Sequence, residues 1–411
     1  MNTNIWILNH YASDMYFDHG GRHYNFAKFL RRAGYAPVIF GANSKHGKAE
    51  RFFETDALWE EHVAEEIDTP FVFVRARTYT GNGKQRVLNM IDFYRNVKKA
   101  AKEYAAQHGR PDVIFASSVH PLTLVAGIQL AKQFGVKCVC VVYSDRFTKD
   151  NPLIKLLYRG EKWIYKRADA LVFTMEGAYD YITEQGWEKD IPRSKVHYIN
   201  NGVDLEQFDY NTEHFHVDDP DLDDPNTFKV VYTGSIRKVN NLGLLLDAAK
   251  CVTDPRVKFL IWGDGDEREV LERRVRDAGL TNVVFKGRVE KKYIPSIVSR
   301  ADANLMHGTP GPLFRFGVSP NKMFDYFAAG KPILMDFETK YNPVEQYQAG
   351  IILNSLSGEA AAQTLQRMAK WPEEEYARNC QNARRAAGDF DFKKLTDKLL
   401  NIIESLPERK S

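Results

Sequence analysis

Short apolar runs alternate with helical-period segments, first over residues 5–199 and again over 228–335. A strand buried on both faces reads as a near-continuous apolar run, while a covering helix repeats its apolar residues every three to four positions. The alternation therefore predicts parallel sheets covered by helices. In the first half it predicts strands near Ile5–Leu8, Ala36–Phe40, Val113–Ala116, Lys137–Tyr143, Ala170–Phe173 and Val196–Ile199. Helices are predicted near Arg22–Ala33, Gln85–Gln107, Leu122–Phe134, Ile154–Arg167 and Ala178–Gln185. In the second half the strands are Phe228–Tyr232, Lys258–Trp262, Val283–Lys286, Ala303–Met306 and Pro332–Met335, with helices Leu242–Cys251 and Glu267–Ala278. A chain of 411 residues exceeds one ordinary core, so two doubly wound domains are expected.

The boundaries follow from composition. Residues 1–207 form the first domain, and the Asp- and Pro-rich stretch 208–227 reads as a solvated acidic linker or loop. Residues 228–388 form the second domain, and 389–411 carry an amphipathic final helix near Phe392–Leu406. At 44% hydrophobic and 27% charged the chain belongs to the globular class, and a net charge of +3 leaves any basic surface to uneven distribution. Cys138, Cys140, Cys251 and Cys380 show neither zinc-ligand spacing nor a Cys-x-x-Cys pair, so a reduced, cytoplasmic setting is the expectation. The first residues read as a strand and not as a signal peptide, and no run approaches the ~18 to 20 apolar residues of a membrane span.

Chemistry concentrates in the second half. Ser319-Pro320-Asn321-Lys322 opens a helical segment that carries Asp325 and ends in Gly330-Lys331-Pro332 before a strand. A helix N-terminus offers unpaired N–H groups and partial positive charge, which suits a phosphate. Asp325, about one turn further in, can accept hydrogen bonds from ribose hydroxyls. The plainer reading is an ordinary helix start with an exposed Asp. Upstream, Tyr232-Thr233-Gly234-Ser235-Ile236-Arg237-Lys238 runs a strand into a glycine turn followed by two cations. Glycine lets backbone approach a ligand, and Arg237 with Lys238 can neutralise a diphosphate. Gly263-Asp264-Gly265 and Gly287-Arg288-Val289 follow at the ends of the next two strands. Gly263-x-Gly265 lacks the third glycine of a dinucleotide fingerprint, which argues against a nicotinamide cofactor.

In order and spacing these blocks resemble the nucleotide-sugar site of retaining glycosyltransferases of family four, which have the GT-B fold: two doubly wound Rossmann-like domains facing each other across a cleft. The resemblance implies a donor site made of Gly234, Ser235, Arg237, Lys238, Gly263, Arg288, Val289, Ser319, Pro320, Asn321, Lys322 and Asp325. Arg288 and Val289 would lie beside the base. Lys322 and Arg237 would act catalytically by stabilising the departing diphosphate. It also implies retention at the anomeric carbon, no cofactor, no metal, and a final helix that crosses back onto the first domain. Two departures stand out. Most members carry an Arg and a Lys where this chain has Ser235 and Asn240, and two glutamates with seven residues between them where it has Gly317 and Asp325. A subgroup similar to bacterial surface-polysaccharide and O-antigen glycosyltransferases shares the Ser-Pro-Asn-Lys and Asp-Tyr arrangement.

In the first half, Gly20, Gly21 and Arg22 stand in the first strand-to-helix turn, where the resemblance implies an acceptor-binding loop. His120 and Asp145 follow later strands at their carboxyl ends, where ligands bind in doubly wound sheets. Asp145 falls where relatives place a polar residue near the reacting sugar, so it would act catalytically and bind acceptor; a capping Asp is the alternative. His120 has the weaker claim, as loop histidines are more often structural. Basic stripes at Arg95, Lys98, Lys99 and Lys102, and at Lys155, Arg159, Lys162 and Lys166, would suit an anionic membrane surface on the inner face of the cell membrane. Ordinary solvated helix faces are the alternative. No nucleic-acid motif accompanies the charge. The expected activity is sugar transfer from a nucleoside-diphosphate sugar to a glycan or polyprenyl-diphosphate-linked acceptor in surface-polysaccharide or lipopolysaccharide assembly. A sugar-nucleotide epimerase of the same fold and a noncatalytic sugar-nucleotide-binding protein are the competing expectations.

Overall fold

The structure, a computed structural model, describes residues 3–81, 83–142, 152–308, 311–353 and 358–407, with the backbone alone for 152–159 and 239. It separates into two compact units, one formed by the chain up to Asn200 together with the segment from Phe392, the other by Asn201–Asp391.

The first unit holds an eight-stranded sheet in the order β3-β4-β2-β1-β5-β6-β7-β8. Its strands are β1 Asn4–Leu8, β2 Ala36–Ala42, β3 Trp59–Ala64, β4 Thr69–Val74, β5 Val113–Ser118, β6 Lys137–Val142, β7 Ala170–Phe173 and β8 Val196–Tyr198. All pairings among them are parallel except β3 with β4. Ile5, Trp6, Ile7 and Leu8 are fully buried, as an apolar strand with helices on both faces requires. The final helix, Phe392–Ser405, lays Phe392, Leu395, Leu399 and Ile403 into the core that contains Phe26 and Phe115. Phe26 and Phe392 meet edge to face at 5.5 Å between ring centroids.

The second unit is a six-stranded parallel sheet in the order β11-β10-β9-β12-β13-β14. Its strands are β9 Phe228–Thr233, β10 Val257–Trp262, β11 Val283–Gly287, β12 Ala303–Met306, β13 Ile333–Met335 and β14 Gly350–Ile352.

The acidic stretch expected to be a solvated linker is structured and docked on this unit. Helices Leu205–His214 and Pro220–Asp223 occupy it and bury Phe208 and Leu222. Lys229 and Lys258 lie in register on β9 and β10, like charges that need nearby anions. Lys258 pairs with Asp221 at 3.3 Å, Lys286 with Asp219 and Asp221 at 2.8 and 2.6 Å, and Arg300 with Asp223 at 2.6 Å. The aspartates that read as solvation in the sequence are counter-charges to the sheet.

One buried acid predicts a pH effect on stability. Glu161 is 7% exposed and accepts hydrogen bonds from the Tyr165 and Tyr181 hydroxyls. Burial pushes its carboxyl up to about 7. A raised carboxyl favours the fold below the unfolded value and loses that contribution as pH rises through the folded one, on the order of 3 kcal/mol in all. Glu161→Gln should therefore melt above the parent at pH 8.5 and lose that advantage at pH 5. Thermal unfolding at the two values checks this, and a variant less stable at both contradicts it.

Candidate functional site

Three loops converge at the carboxyl ends of β9, β10 and β11. Gly234, Gly263 and Gly265 have φ of +148°, +150° and +158°. A Cβ on Gly263 would lie 1.8 Å from the Gly234 carbonyl oxygen, and one on Gly265 would lie 2.3 Å from the Ile236 carbonyl oxygen. The Gly234 N–H donates to the Trp262 carbonyl at 3.0 Å, and the Gly263 N–H to the Gly287 carbonyl at 2.8 Å. Only glycine permits backbones so close, and the packing fixes the shape of the β9 turn. Asn240 completes that shape: its side-chain amide donates to the Ser235 carbonyl at 2.6 Å and to Ser235 Oγ at 2.8 Å. Arg237 and Lys238, on the same turn, are exposed, and among the described residues their side chains make no hydrogen bond or ion pair.

Helix Asn321–Ala328 follows the loop after β12 and has Pro320 at its cap without a side-chain hydrogen bond. The main-chain N–H of Asn201 donates to Ser319 Oγ at 3.3 Å, and its side-chain amide donates to the Ser319 carbonyl at 3.0 Å, which holds the approach to the helix. Tyr326 is fully buried and its hydroxyl meets the Thr233 N–H at 3.0 Å, tying the helix to the end of β9. Lys322 consequently lies beside the β9 turn. A Cβ on Gly234 would come 2.6 Å from Lys322 Nζ, which also stands 3.9 Å over the Tyr232 ring. Burial lowers the Lys322 ammonium to about 8, against the opposing pull of Asp336.

Asp325 lies one turn into the same helix, half-buried. Burial raises its carboxyl to about 6, and Lys291 acts in the opposite direction. No described protein group donates to it. Arg288 is exposed and Val289 half-buried, just past Gly287, whose φ is +80°. Gly234, Ser235, Gly263, Lys322 and the Ser319–Asn321 helix start therefore gather around one set of loop ends, with Arg237 and Lys238 on the same turn.

In the first unit, Gly21 has φ +108° and precedes helix Arg22–Arg32, with Gly20 bonded through its N–H to the Met15 carbonyl at 3.4 Å. Arg22 differs from its expected role as a ligand-facing cation. Its guanidinium is buried and donates to the Asn200 and Ile199 carbonyls at 2.5 and 2.9 Å, so it satisfies main chain beyond β8. His120 follows β5, buried, with Nε2 2.7 Å from His10 Nδ1. Burial, aided by Arg86, drives it down to about 3, so it is neutral near pH 7. Asp145 lies outside the described residues.

Two family models match the chain: Glycosyltransferase Family 4 over residues 22–207 and Glycosyl transferases group 1 over 227–370. The chain belongs to glycosyltransferase family 4. Its fold is GT-B. A curated relative in Bacillus subtilis (strain 168), named "Putative teichuronic acid biosynthesis glycosyltransferase TuaH", is 27% identical over 188 residues, which are 44% of this chain and 43% of that protein. Among solved structures, Anabaena HepE in complex with UDP superposes with a TM-score of 0.68 at 15% identity, covering 98% of this chain and all of that one. Sucrose-phosphate synthase of Thermosynechococcus elongatus gives 0.69 at 16% identity, with 98% and 99% covered. An E. coli trehalose-6-phosphate protein bound to UDP-2-fluoro glucose gives 0.72 at 11%, with 99% and 100% covered.

The backbone explains one departure from the family-4 pattern. Gly317, where most members were expected to carry glutamate, has φ +119° and donates its N–H to the Phe314 carbonyl at 3.1 Å. A side chain there would force this loop out of a conformation suited to glycine. Gly317→Glu should therefore lower thermal stability by about 1–3 kcal/mol and should not raise turnover; a more active variant would contradict the reading. Sequence reasoning missed Tyr326, His307 and Asp336. The last two are the first polar residues beyond β12 and β13, a position that could have flagged them.

Proposed function

We propose that this glycosyltransferase moves a sugar, with retention at the anomeric carbon, from a nucleoside-diphosphate sugar to a hydroxyl of a glycan or lipid-linked acceptor in bacterial surface-polysaccharide assembly. The observation that carries the donor half is the pairing, on one helix, of a half-buried Lys322 against the β9 glycine turn with a half-buried, unpartnered Asp325. An ammonium in reduced dielectric beside bare backbone suits a diphosphate, and a carboxylate awaiting donors suits vicinal ribose hydroxyls. Arg237 and Lys238 add charge from the turn, while Arg288 and Val289 stand where a base would pass.

As the sugar–phosphate bond breaks, its electron pair stays with the diphosphate. Lys322, Arg237 and the N–H groups at the start of helix Asn321–Ala328 then stabilise the largest charge formed. UDP is the first candidate nucleotide, because HepE was solved with UDP and UDP-glucose. The surface-polysaccharide setting is supported by the TuaH match. For the acceptor, Gly20 and Gly21 lie between β1 and helix Arg22–Arg32 and His120 just past β5 in the first unit, and all of these, like Asp145, enter on resemblance.

A membrane-facing role is argued here for the first of the two basic stripes. Arg95, Lys99 and Lys102 are exposed, while in the second stripe Lys162 and Lys166 spend charge on Asp190, at 2.8 and 2.7 Å, and the side chains of Lys155 and Arg159 lie outside those described. Reversing Lys98, Lys99 and Lys102 to Glu should reduce co-sedimentation with anionic liposomes; unchanged sedimentation contradicts this. A panel of labelled nucleotide sugars tests the function itself. Transfer to a lipid-linked acceptor is expected, whereas an isomerised free sugar nucleotide or binding without turnover would overturn it.

A further inference from the structure

The turn after β9 holds its own polar groups in a fixed order. The side-chain nitrogen of Asn240 lies 2.6 Å from the Ser235 carbonyl oxygen and 2.8 Å from Ser235 Oγ. A carbonyl can only accept, so the amide nitrogen faces it, and the two amide hydrogens serve the two oxygens. The Tyr232 hydroxyl donates to the same carbonyl at 3.1 Å. Asn240 itself is held by the backbone around it. Lys238–Asn240 form a single 3-10 turn, and the Asn240 N–H donates to the Arg237 carbonyl at 2.8 Å. Asn241 follows with φ +49°, and its carbonyl oxygen stands 3.0 Å from Nε2 of His307, whose Nδ1 meets Asp336.

That order decides what Ser235 can offer a ligand. Asn240 supplies a hydrogen to Oγ, so the hydrogen of the hydroxyl must point away from the amide. Ser235 is exposed, and among the described residues neither its hydroxyl nor its main-chain N–H donates to a protein group. The N–H groups on either side are engaged: Gly234 donates to the Trp262 carbonyl at 3.0 Å and Ile236 to the Asp264 carbonyl at 2.9 Å. Two neutral donors therefore stand open on one residue. They adjoin the glycine whose built Cβ would come 2.6 Å from Lys322 Nζ.

We propose that Ser235 binds the donor diphosphate through its N–H and its hydroxyl, and that Asn240 is the positioning residue that keeps the hydroxyl turned as a donor. The inference rests on the donor-site reading given above. A hydroxyl already oriented loses less rotational freedom on meeting a phosphate oxygen than one that turns freely. Removing Asn240 frees that rotation. It leaves the Ser235 carbonyl with the Tyr232 hydroxyl as a partner, so the turn keeps one support at that point.

A double-mutant cycle on UDP affinity, measured by calorimetry, tests this. Ser235→Ala should weaken binding roughly tenfold, as the loss of a hydrogen bond to a charged group does. Asn240→Ala should weaken it by about three- to tenfold. The double variant should bind about as well as Ser235→Ala alone, because Asn240 then has no hydroxyl to orient. An Asn240 that only shaped the turn would matter equally with or without the hydroxyl, and the two losses would multiply. Multiplied losses, or an unchanged affinity in Ser235→Ala, would overturn the inference while leaving the donor site standing. A parent that binds neither UDP nor ADP, GDP, CDP or TDP would overturn the donor reading and this inference with it. Should Asn240→Ala fail to fold, Asn240→Ser, too short to reach both oxygens, takes its place in the cycle with the same two outcomes.

Discussion

Lys322→Ala is expected to lower turnover by roughly 10²–10³-fold while weakening nucleotide affinity by less than about tenfold. The asymmetry follows from where the charge forms. In the proposed donor complex the diphosphate charge would be shared with the exposed cations of the β9 turn and with solvent. In the transition state an additional negative charge develops on the leaving oxygen, and an ammonium in reduced dielectric stabilises it most. The 2.6 Å separation from a Cβ built on Gly234 sets that ammonium against the turn, and burial lowers it to about 8. Turnover at saturating donor and calorimetric affinity, measured together, check the prediction. Equal losses in both would mean that Lys322 binds ground state and transition state alike.

Asp325→Ala is expected to weaken UDP binding by about 10–100-fold, the loss of one or two hydrogen bonds to a charged acceptor. The pH dependence gives the sign. With its carboxyl raised to about 6, Asp325 would accept ribose hydroxyl hydrogens above that value in the proposed complex, and it gains a proton of its own below it. Parent affinity should fall as pH drops through 6, and Asp325→Asn should remove that limb. Stability should respond the other way. A carboxyl held above its ordinary value costs the fold stability at neutral pH, so Asp325→Asn should be at least as stable as the parent at pH 7.5. Weaker binding with undiminished stability separates a ligand contact from a packing residue. Unchanged UDP affinity would remove the ribose assignment.

The sequence carried most of the parallel core because strands buried on both faces leave continuous apolar runs. Ala170–Phe173 and Ala303–Met306 coincide with β7 and β12 residue for residue. Strand β3 escaped because Trp59–Ala64 is an edge strand carrying Glu60, Glu61 and His62, so one side of it reads as solvated surface. The acidic segment misled for a complementary reason: a local count of aspartates cannot reveal that Lys258, Lys286 and Arg300, many residues away, wait to pair with them. Arg22 shows the same limit, since its carbonyl partners at Ile199 and Asn200 are more than 170 residues distant.

Within the site, legibility followed sequence distance. Lys322 and Asp325 share one helix and could be read together. His307 and Asp336 stand 29 residues apart, and only the neighbouring positions of β12 and β13 in the sheet bring them into contact.

A crystal structure of the protein soaked with UDP tests the donor assignment most directly. The ribose hydroxyls should lie within hydrogen-bond distance of the Asp325 carboxylate, with the diphosphate between Lys322 Nζ and the Gly234 backbone. Density for the nucleotide elsewhere, or a ribose turned away from Asp325, would contradict it.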